Sequence, residues 1–363
     1  MNEKNPLVTV CFLTYNYAPL LKKSLTPLIN QTYANTQIII SNNQSTDNTE
    51  QVAKEIAFKN PKVSYRYNIP NLKKEEFSDI AEKNIPTTKK MYDVVFNHCN
   101  TLIKSGEIKG DFIIFCHQDD LYQTDIIKKE MEFLMQNPNV PAVFTLGTII
   151  DSNDNIIGKW KLPLELQNKT IHTFKEIFRA ILNHGNTFLI TPTLMVRKEL
   201  FDKVGLFDDQ GPFGGSDDLE MWLRILEKYP IGIINEPLIN WRTDGRGKKY
   251  NQLRTEKADF FKVMDYYLTD KNYITLASKK DLRQYNYQKD FDNTLRAMNF
   301  LIKGETKQAK KIINNSFSWE NLRAFFENIK ILRIKVMTLK VILFIGINLG
   351  LGKQLGKILH KTI

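Results

Sequence analysis

The sequence is poor in cysteine and has no long apolar run. Three cysteines, Cys11, Cys99 and Cys116, stand among 363 residues. The number is odd and the spacing fits no metal-ligand pattern, so neither a disulfide framework nor a zinc site is indicated. Cys11 and Cys116 lie in apolar, strand-like runs, which reads as buried free thiols in a reducing compartment. No basic segment precedes the apolar stretch Leu7 to Leu13, and that stretch is too short for a secretory signal core. The chain is therefore expected to be cytosolic. Val341 to Gly352, the apolar stretch of the C-terminal region, has twelve residues, whereas a bilayer span needs about 20. A channel-forming synthase with several spans is disfavoured. Glycine and proline, at 17 and 13, are ordinary for a globular chain and rule out collagen-like or disordered classes. No internal repeat is visible.

Acidic residues are absent from Lys330 to Ile363, where seven bases stand: Lys330, Arg333, Lys335, Lys340, Lys353, Lys357 and Lys361. That tail supplies seven of the net charge of +11 and leaves +4 for the other 329 residues. A uniformly basic nucleic-acid binder is disfavoured, and no nucleic-acid partner is expected. Two readings of the tail stay open. It could lie in the headgroup region of a membrane, with apolar bulk inserted and Lys340 and Lys353 meeting anionic lipid at about 1 kcal/mol each. It could instead pack on the protein or on a second subunit. The first is preferred, which places the chain peripherally on the cytoplasmic face of the inner membrane.

The first 120 residues alternate strand and helix. Strands are expected at Leu7–Leu13, Gln37–Ser41, Val63–Tyr67 and Asp111–Cys116. Helices are expected at Pro19–Gln31, Asn48–Phe58 (capped by Asp47, with Glu50 three residues on) and Lys89–Lys104. Asn68 to Thr88 reads as a polar excursion. Further strands are expected at Pro141–Gly147, Thr193–Val196 and Ile231–Ile234, with a hairpin around Ser152 to Asn155 and a helix at Asp217–Lys228. Beyond Gly247 the pattern is helical. Short buried strands separated by helices imply an α/β fold, a doubly wound sheet. Ligands of such sheets bind at the carboxyl ends of strands. That rule points to Thr14-Tyr15-Asn16, to Asn42 through Asp47 and to His117 through Asp120.

Three segments carry chemistry. His117-Gln118-Asp119-Asp120 follows a buried strand, and adjacent carboxylates there are costly unless a cation balances them. A hard divalent ion bridging a diphosphate would do so; a solvated turn is the plainer alternative. Asp217-Asp218 opens a helix whose apolar positions include Leu219, Trp222, Leu223 and Leu226. A carboxylate there can take a proton from a bound hydroxyl, or Asp217 can simply cap the helix with Glu220. Trp241 to Lys249 combines glycines with four bases and could close over a diphosphate, or form a solvated linker.

The order of these motifs resembles the family 2 glycosyltransferases of the GT-A fold. The carriers are Thr14-Tyr15-Asn16, Asn42 to Thr49, His117 to Asp120, Val204-Gly205-Leu206-Phe207-Asp208, Gly214 to Arg224 and Trp241-Arg242-Thr243-Asp244, over about residues 7 to 245. The resemblance implies a Rossmann-like, mixed sheet and inverting transfer of a sugar from a nucleotide-diphosphate donor to a glycan hydroxyl. By position it puts Thr14, Tyr15, Asn16, Asn42, Asn43, Asp119 and Arg242 at the donor. Asp119 and Asp120 fall on the motif that holds Mg²⁺ or Mn²⁺. Asp218 falls on the catalytic Asp, with Asp217 in the place of the Glu before it. Trp222 and Trp241 could offer apolar faces to a sugar. Four departures stand out. Asn42-Asn43 replaces an Asp pair, so the nucleobase is less firmly implied. His117 replaces the first Asp of Asp-x-Asp. Asp244 replaces a His, and Lys89 or Lys90 would have to stand in for a missing Arg-Asn pair.

A membrane-seeking tail suggests a lipid-linked acceptor, as in assembly of O-antigen or capsule. Three regions are expected: residues 1–247 as the GT-A domain, 248–330 as a helical region and 331–363 as the basic apolar C-terminal helix. Two other classes remain. A nucleotidyltransferase on a related fold would be expected to carry a Gly-rich basic loop after the first strand, but Thr14 to Leu20 has neither. A non-catalytic sugar-nucleotide or glycan-binding scaffold would not need Asp119, Asp120 and Asp218 together. The enzyme reading requires Asp119 and Asp218 to face the same side of the molecule.

Overall fold

The computed structural model describes residues 5–69, 88–209, 211–243 and 254–361, except for the side chains of 88–94. These residues form two compact units, one within 1–180 and 186–243, the other within 181–185 and 244–363. All but the ends of the expected excursion, Asn68 to Thr88, falls on 70–87, and the part of the basic segment Trp241 to Lys249 with Asp244, Arg246, Lys248 and Lys249 falls on 244–250. Residues 70–87 and 244–250 lie outside the described residues, as do the side chains of Lys89 and Lys90.

The first unit is built on a ten-stranded mixed sheet. Its strands are β1 (Val8–Thr14), β2 (Thr36–Asn42), β3 (Val63–Tyr67), β4 (Phe112–His117), β5 (Leu121–Tyr122), β6 (Ala142–Ile150), β7 (Ile156–Lys159), β8 (Ile171–His172), β9 (Met195–Arg197) and β10 (Ile231–Arg242). The main order is β3-β2-β1-β4-β9-β6-β10-β5. β1 pairs in parallel with β2 and β4, and β2 with β3. β9 runs antiparallel between β4 and β6, and β6 and β10 are parallel. All seven positions of β1 are buried, because a strand covered on both faces needs a continuous apolar run.

The helices of this unit are α1 (Ala18–Ile29), α2 (Thr49–Lys59), α3 (Thr88–Lys104), α4 (Ile126–Gln136), α5 (Phe174–His184), α6 (Leu200–Val204) and α7 (Asp217–Leu226); α5 runs on into the second unit. On one face of the sheet, Leu21, Leu25 and Leu28 of α1 and Ile127, Met131 and Leu134 of α4 pack on Val10, Phe12, Ile38 and Ile114. The other face is aromatic: Phe207 stacks on Phe96 with centroids 5.1 Å apart and meets Phe115 and Trp222 edge-on. This is the expected doubly wound fold. β10 is longer than the expected Ile231–Ile234. Pro237 lies inside it, and the ladder with β6 shifts register on both sides of that proline. A bulge lets a strand tolerate a residue that cannot donate, so the strand continues far enough to carry Trp241 and Arg242 along β6.

Glu130 of α4 is fully buried, and neither carboxylate oxygen has a hydrogen-bond partner among the described residues. Burial pushes its pKa well above the ordinary carboxylate value. The unfolded carboxyl ionises near pH 4.3, so above that pH unfolding releases a proton that the native state holds. Stability is then lost as pH rises, by about 1.4 kcal/mol per unit, until the native pKa is reached. Glu130→Met is expected to unfold at higher urea than the parent at pH 7 and to lack this slope. A parent and variant with parallel pH profiles would show that the carboxyl is ionised in place.

The second unit is helical: α8 (Asp259–Leu268), α9 (Lys279–Ile302), α10 (Thr306–Asn314), α11 (Trp319–Glu327), α12 (Ile331–Asn348) and α13 (Gly352–Lys361). Ser278 and Asp281 close a capping box at the start of α9. Ala297 and Leu301 of α9, Ala309 and Ile313 of α10, and Leu343 and Ile347 of α12 form its core. A Cβ at Gly356 would fall 2.2 Å from the Leu301 carbonyl oxygen, so only glycine allows α13 so near α9. Residues 331–361 therefore fold as part of this unit. Lys340 does not reach for lipid: it is 2% exposed, on the same inner face of α12 as Val336 and Leu343. Its Nζ donates to Asp290 Oδ2 at 2.7 Å and to the Ser316 carbonyl at 2.5 Å.

Candidate functional site

Three parallel strands end side by side. Thr14 stands beside Asn42, and Leu13 beside His117, so the loops after β1, β2 and β4 leave the sheet together. Their side chains tie these loops to one another. Gln118 Oε1 accepts from Thr14 Oγ1 and from the Tyr15 amide, both at 2.7 Å, and Gln118 Nε2 donates to the Tyr15 carbonyl at 3.0 Å. Asn16 adopts φ +47°, a conformation that Asn tolerates better than most residues. Its Oδ1 accepts from the Thr46 amide at 2.7 Å, and its own amide donates to Ser45 Oγ at 2.9 Å. Asp47 accepts from the amides of Ala18 and Thr49, so it joins two helix starts, and Asn48 is the residue at the cap of α2.

Several expected donor contacts are already engaged within the protein. The Thr14 hydroxyl is given to Gln118. Asn42 is fully buried; its Nδ2 donates to Tyr65 Oη, and its Oδ1 accepts from the amide and hydroxyl of Ser45. Neither side chain is free to read a nucleobase, because each holds one loop to the next. Asn43 Oδ1 accepts from Asn68 at 2.8 Å. Tyr15 and Asn16 are the exposed members of the set.

His117, Asp119 and Asp120 bring their ligand atoms within 4.8 Å of one another. Asp120 is buried. Its Oδ1 accepts from the Arg242 amide at 3.0 Å, and its Oδ2 has no partner among the described residues. Burial, then the charge of Asp119, drives its pKa well up. A bound cation would reverse that pressure and occupy the orphaned oxygen, so the donor set fits a divalent ion. His117 enters this set although it stands where the resemblance has an Asp. That substitution was the only sequence signal for it.

Arg242 does not face a diphosphate. It is buried, and its Nε donates to the Asp119 carbonyl and its Nη1 to the Asp151 carbonyl, both at 2.9 Å. Its guanidinium also pairs with Asp154 at the hairpin tip, which in turn holds Lys23 of α1. Arg242 therefore fixes the Asp119-Asp120 turn from behind.

Asp218 is the second residue of α7, half-buried. Its Oδ2 accepts from Thr191 Oγ1 and its Oδ1 from the Leu219 amide, both at 2.7 Å. Burial raises its pKa, against the pull of these bonds and of His117. The His117 pKa is lowered by burial and raised by the charges of Asp119 and of Asp218. The imidazole of His117 thus responds to the charge of both carboxylates. Asp217 is 1% exposed and so supports the start of the helix without an open face for substrate. Trp222 is likewise closed, edge-on to Phe144 at 5.4 Å and Phe207 at 5.8 Å in the core; the helical spacing that buries Leu219 and Leu223 buries it too, so it offers no face to a sugar. Trp241 is half-buried and meets Trp160 edge-on at 5.8 Å. Thr191 and Trp160 had no sequence signal, and Gln118 and Asp154, though inside a motif and a hairpin legible in the sequence, take their roles only through long-range contacts.

Residues 9–75 match the family described as Glycosyl transferase family 2. An uncharacterised glycosyltransferase of Methanocaldococcus jannaschii is 25% identical over 255 residues, 69% of this chain and 76% of that protein. The Escherichia coli UDP-Glc:α-D-GlcNAc-diphosphoundecaprenol β-1,3-glucosyltransferase WfgD is 23% identical over 290 residues, 77% of this chain and 96% of that protein. Among solved structures, Staphylococcus aureus TarS 1-349 is 13% identical with a TM-score of 0.45, covering 94% of this chain and 80% of that one.

Proposed function

We propose, for a chain that is a family 2 glycosyltransferase with the GT-A fold, an inverting transfer of a hexose from a nucleoside-diphosphate donor to a hydroxyl of a lipid-linked glycan. The observation that carries the reading is the cluster of His117, Asp119 and Asp120, whose ligand atoms lie within 4.8 Å of one another at the end of β4, with Asp218 held at the start of α7 by Thr191 and the Leu219 amide. Asp218 takes the proton of the acceptor hydroxyl. The freed oxygen pair forms the new bond to the anomeric carbon. The bond from that carbon to the diphosphate oxygen breaks on the opposite face, and its electrons leave with the nucleoside diphosphate. A divalent ion, Mg²⁺ or Mn²⁺, on Asp119 and Asp120 with His117 would neutralise charge on that leaving group. Arg242 and Gln118 hold the turn between these residues. Tyr15, Asn16 and Asn43 line the donor side, and Trp241 offers a ring edge to the acceptor. The lipid-linked acceptor draws its support from the acceptor that the WfgD name prints and from the basic tail, and it sets the chain at the cytoplasmic face of a membrane.

A melting screen of nucleoside diphosphates with Mn²⁺ or Mg²⁺ tests donor and metal together. A ligand at 100 times its Kd adds about 2.7 kcal/mol to the native state. Asp119→Ala is expected to abolish the metal-dependent part of the rise. An equal metal-dependent rise in that variant would remove Asp119 from the metal site.

A further inference from the structure

Of the 24 large hydrophobic residues exposed among the described residues, 15 lie between Phe317 and Ile358. They concentrate on α11, α12 and the turn to α13. Trp319 is 85% exposed, Ile331 74% and Phe326 63%. α12 exposes Ile331, Ile342 and Ile345 on one face while it buries Val336, Leu343 and Ile347 on the other. A surface helix normally turns polar residues outward, and one that is apolar all round belongs under a cover. The inner face already has its cover, the core with α9 and α10.

The charge around the outer face chooses among possible covers. Lys330, Lys335, Lys353, Lys357 and Lys361 are all exposed, and no acidic residue follows Glu327. A second copy meeting this face across a two-fold axis would set like charges against like. An anionic bilayer surface complements both the apolar residues and the lysines. No described helix is long and apolar enough to cross a membrane, so the fit is to a helix lying in the headgroup plane. We infer that α11 and α12 form a docking surface for anionic lipid, with Trp319 and Phe326 extending it beyond the tail and Lys340 excluded from it. The inference stands on the helical unit alone and does not need the catalytic reading.

The test uses the full chain with sedimenting vesicles of phosphatidylcholine, with or without about one-third phosphatidylglycerol. Binding to the anionic vesicles is expected, with much weaker binding to the neutral ones. Ile342→Glu/Ile345→Glu, both at exposed positions, should lower binding about tenfold or more, and Lys335→Gln/Lys353→Gln should do the same on anionic vesicles only. Melting temperatures near the parent's would show that both variants fold. An unchanged shift with UDP and Mn²⁺ would separate this surface from the proposed donor site. A parent that stays in the supernatant overturns the inference. So do variants that bind like the parent, and so does a dimer that Ile342→Glu/Ile345→Glu converts to monomer without any vesicle binding.

Discussion

Asp218→Asn is expected to lower sugar transfer by about a thousandfold, within the usual range for losing a general base, while nucleotide binding should stay near the parent's. The argument is geometric. Asn has the shape of Asp: its Oδ1 can still accept from the Leu219 amide, and its Nδ2, standing where Oδ2 was, can donate to Thr191 Oγ1, so the two contacts that fix this side chain are kept with one reversed. What it cannot do is take a proton from a hydroxyl. The donor side of the site, by contrast, lies on the loops after β1, β2 and β4, which Asp218 does not tie. The pH profile adds a second readout. Asp218 must be ionised to act, and burial raises its pKa, so the acid limb of kcat should lie above the ordinary Asp value of about 3.9. Thr191→Val removes a hydrogen bond that favours the carboxylate and should move that limb to higher pH. Full turnover in the Asn variant would remove Asp218 as the base. Loss of nucleotide binding would reassign it to the donor.

The parts of this architecture that run along the chain could be read from it. β1, β2 and β4 are short apolar runs, and each ends in polar residues where a doubly wound sheet opens. The position of Asp218 followed from the helical spacing of Leu219, Trp222 and Leu223. That same spacing also buries Trp222, because a helix face continuous with Leu219 and Leu223 is a core face; hydrophobicity alone does not separate a stacking platform from a packing residue. Arg242 reads as a loop cation because Pro237 hides the strand that carries it. Only the register of β10 against β6 shows that its guanidinium turns toward Asp119, Asp151 and Asp154. Asn42 fails as a base reader for a similar reason. Its partners Tyr65 and Ser45 arrive from a neighbouring strand and a turn, and a linear sequence does not show which polar groups are satisfied.

Lys340 gives the second large effect. In the sequence it borders a greasy segment in a tail without acids, and nothing nearby suggests a partner. The partner is 50 residues earlier: Asp290 of α9, 2.7 Å away and itself 5% exposed. The Lys340 ammonium also lies over the Phe317 ring, 4.4 Å from its centroid. Burial raises the Asp290 pKa, and Lys340 pulls it back. Removing one member of a buried pair leaves the other charge without compensation, at a cost of about 3–5 kcal/mol. Lys340→Met should therefore lower the unfolding free energy by that amount, read as a drop in the urea midpoint. Replacing both charges with apolar groups avoids the orphan, so Lys340→Met/Asp290→Leu should recover most of the loss. A single variant as stable as the parent would mean that Lys340 leaves the interior in solution and is free to meet lipid after all. A double variant no better than the single would mean that the loss comes from packing around Phe317 and not from the unpaired carboxylate.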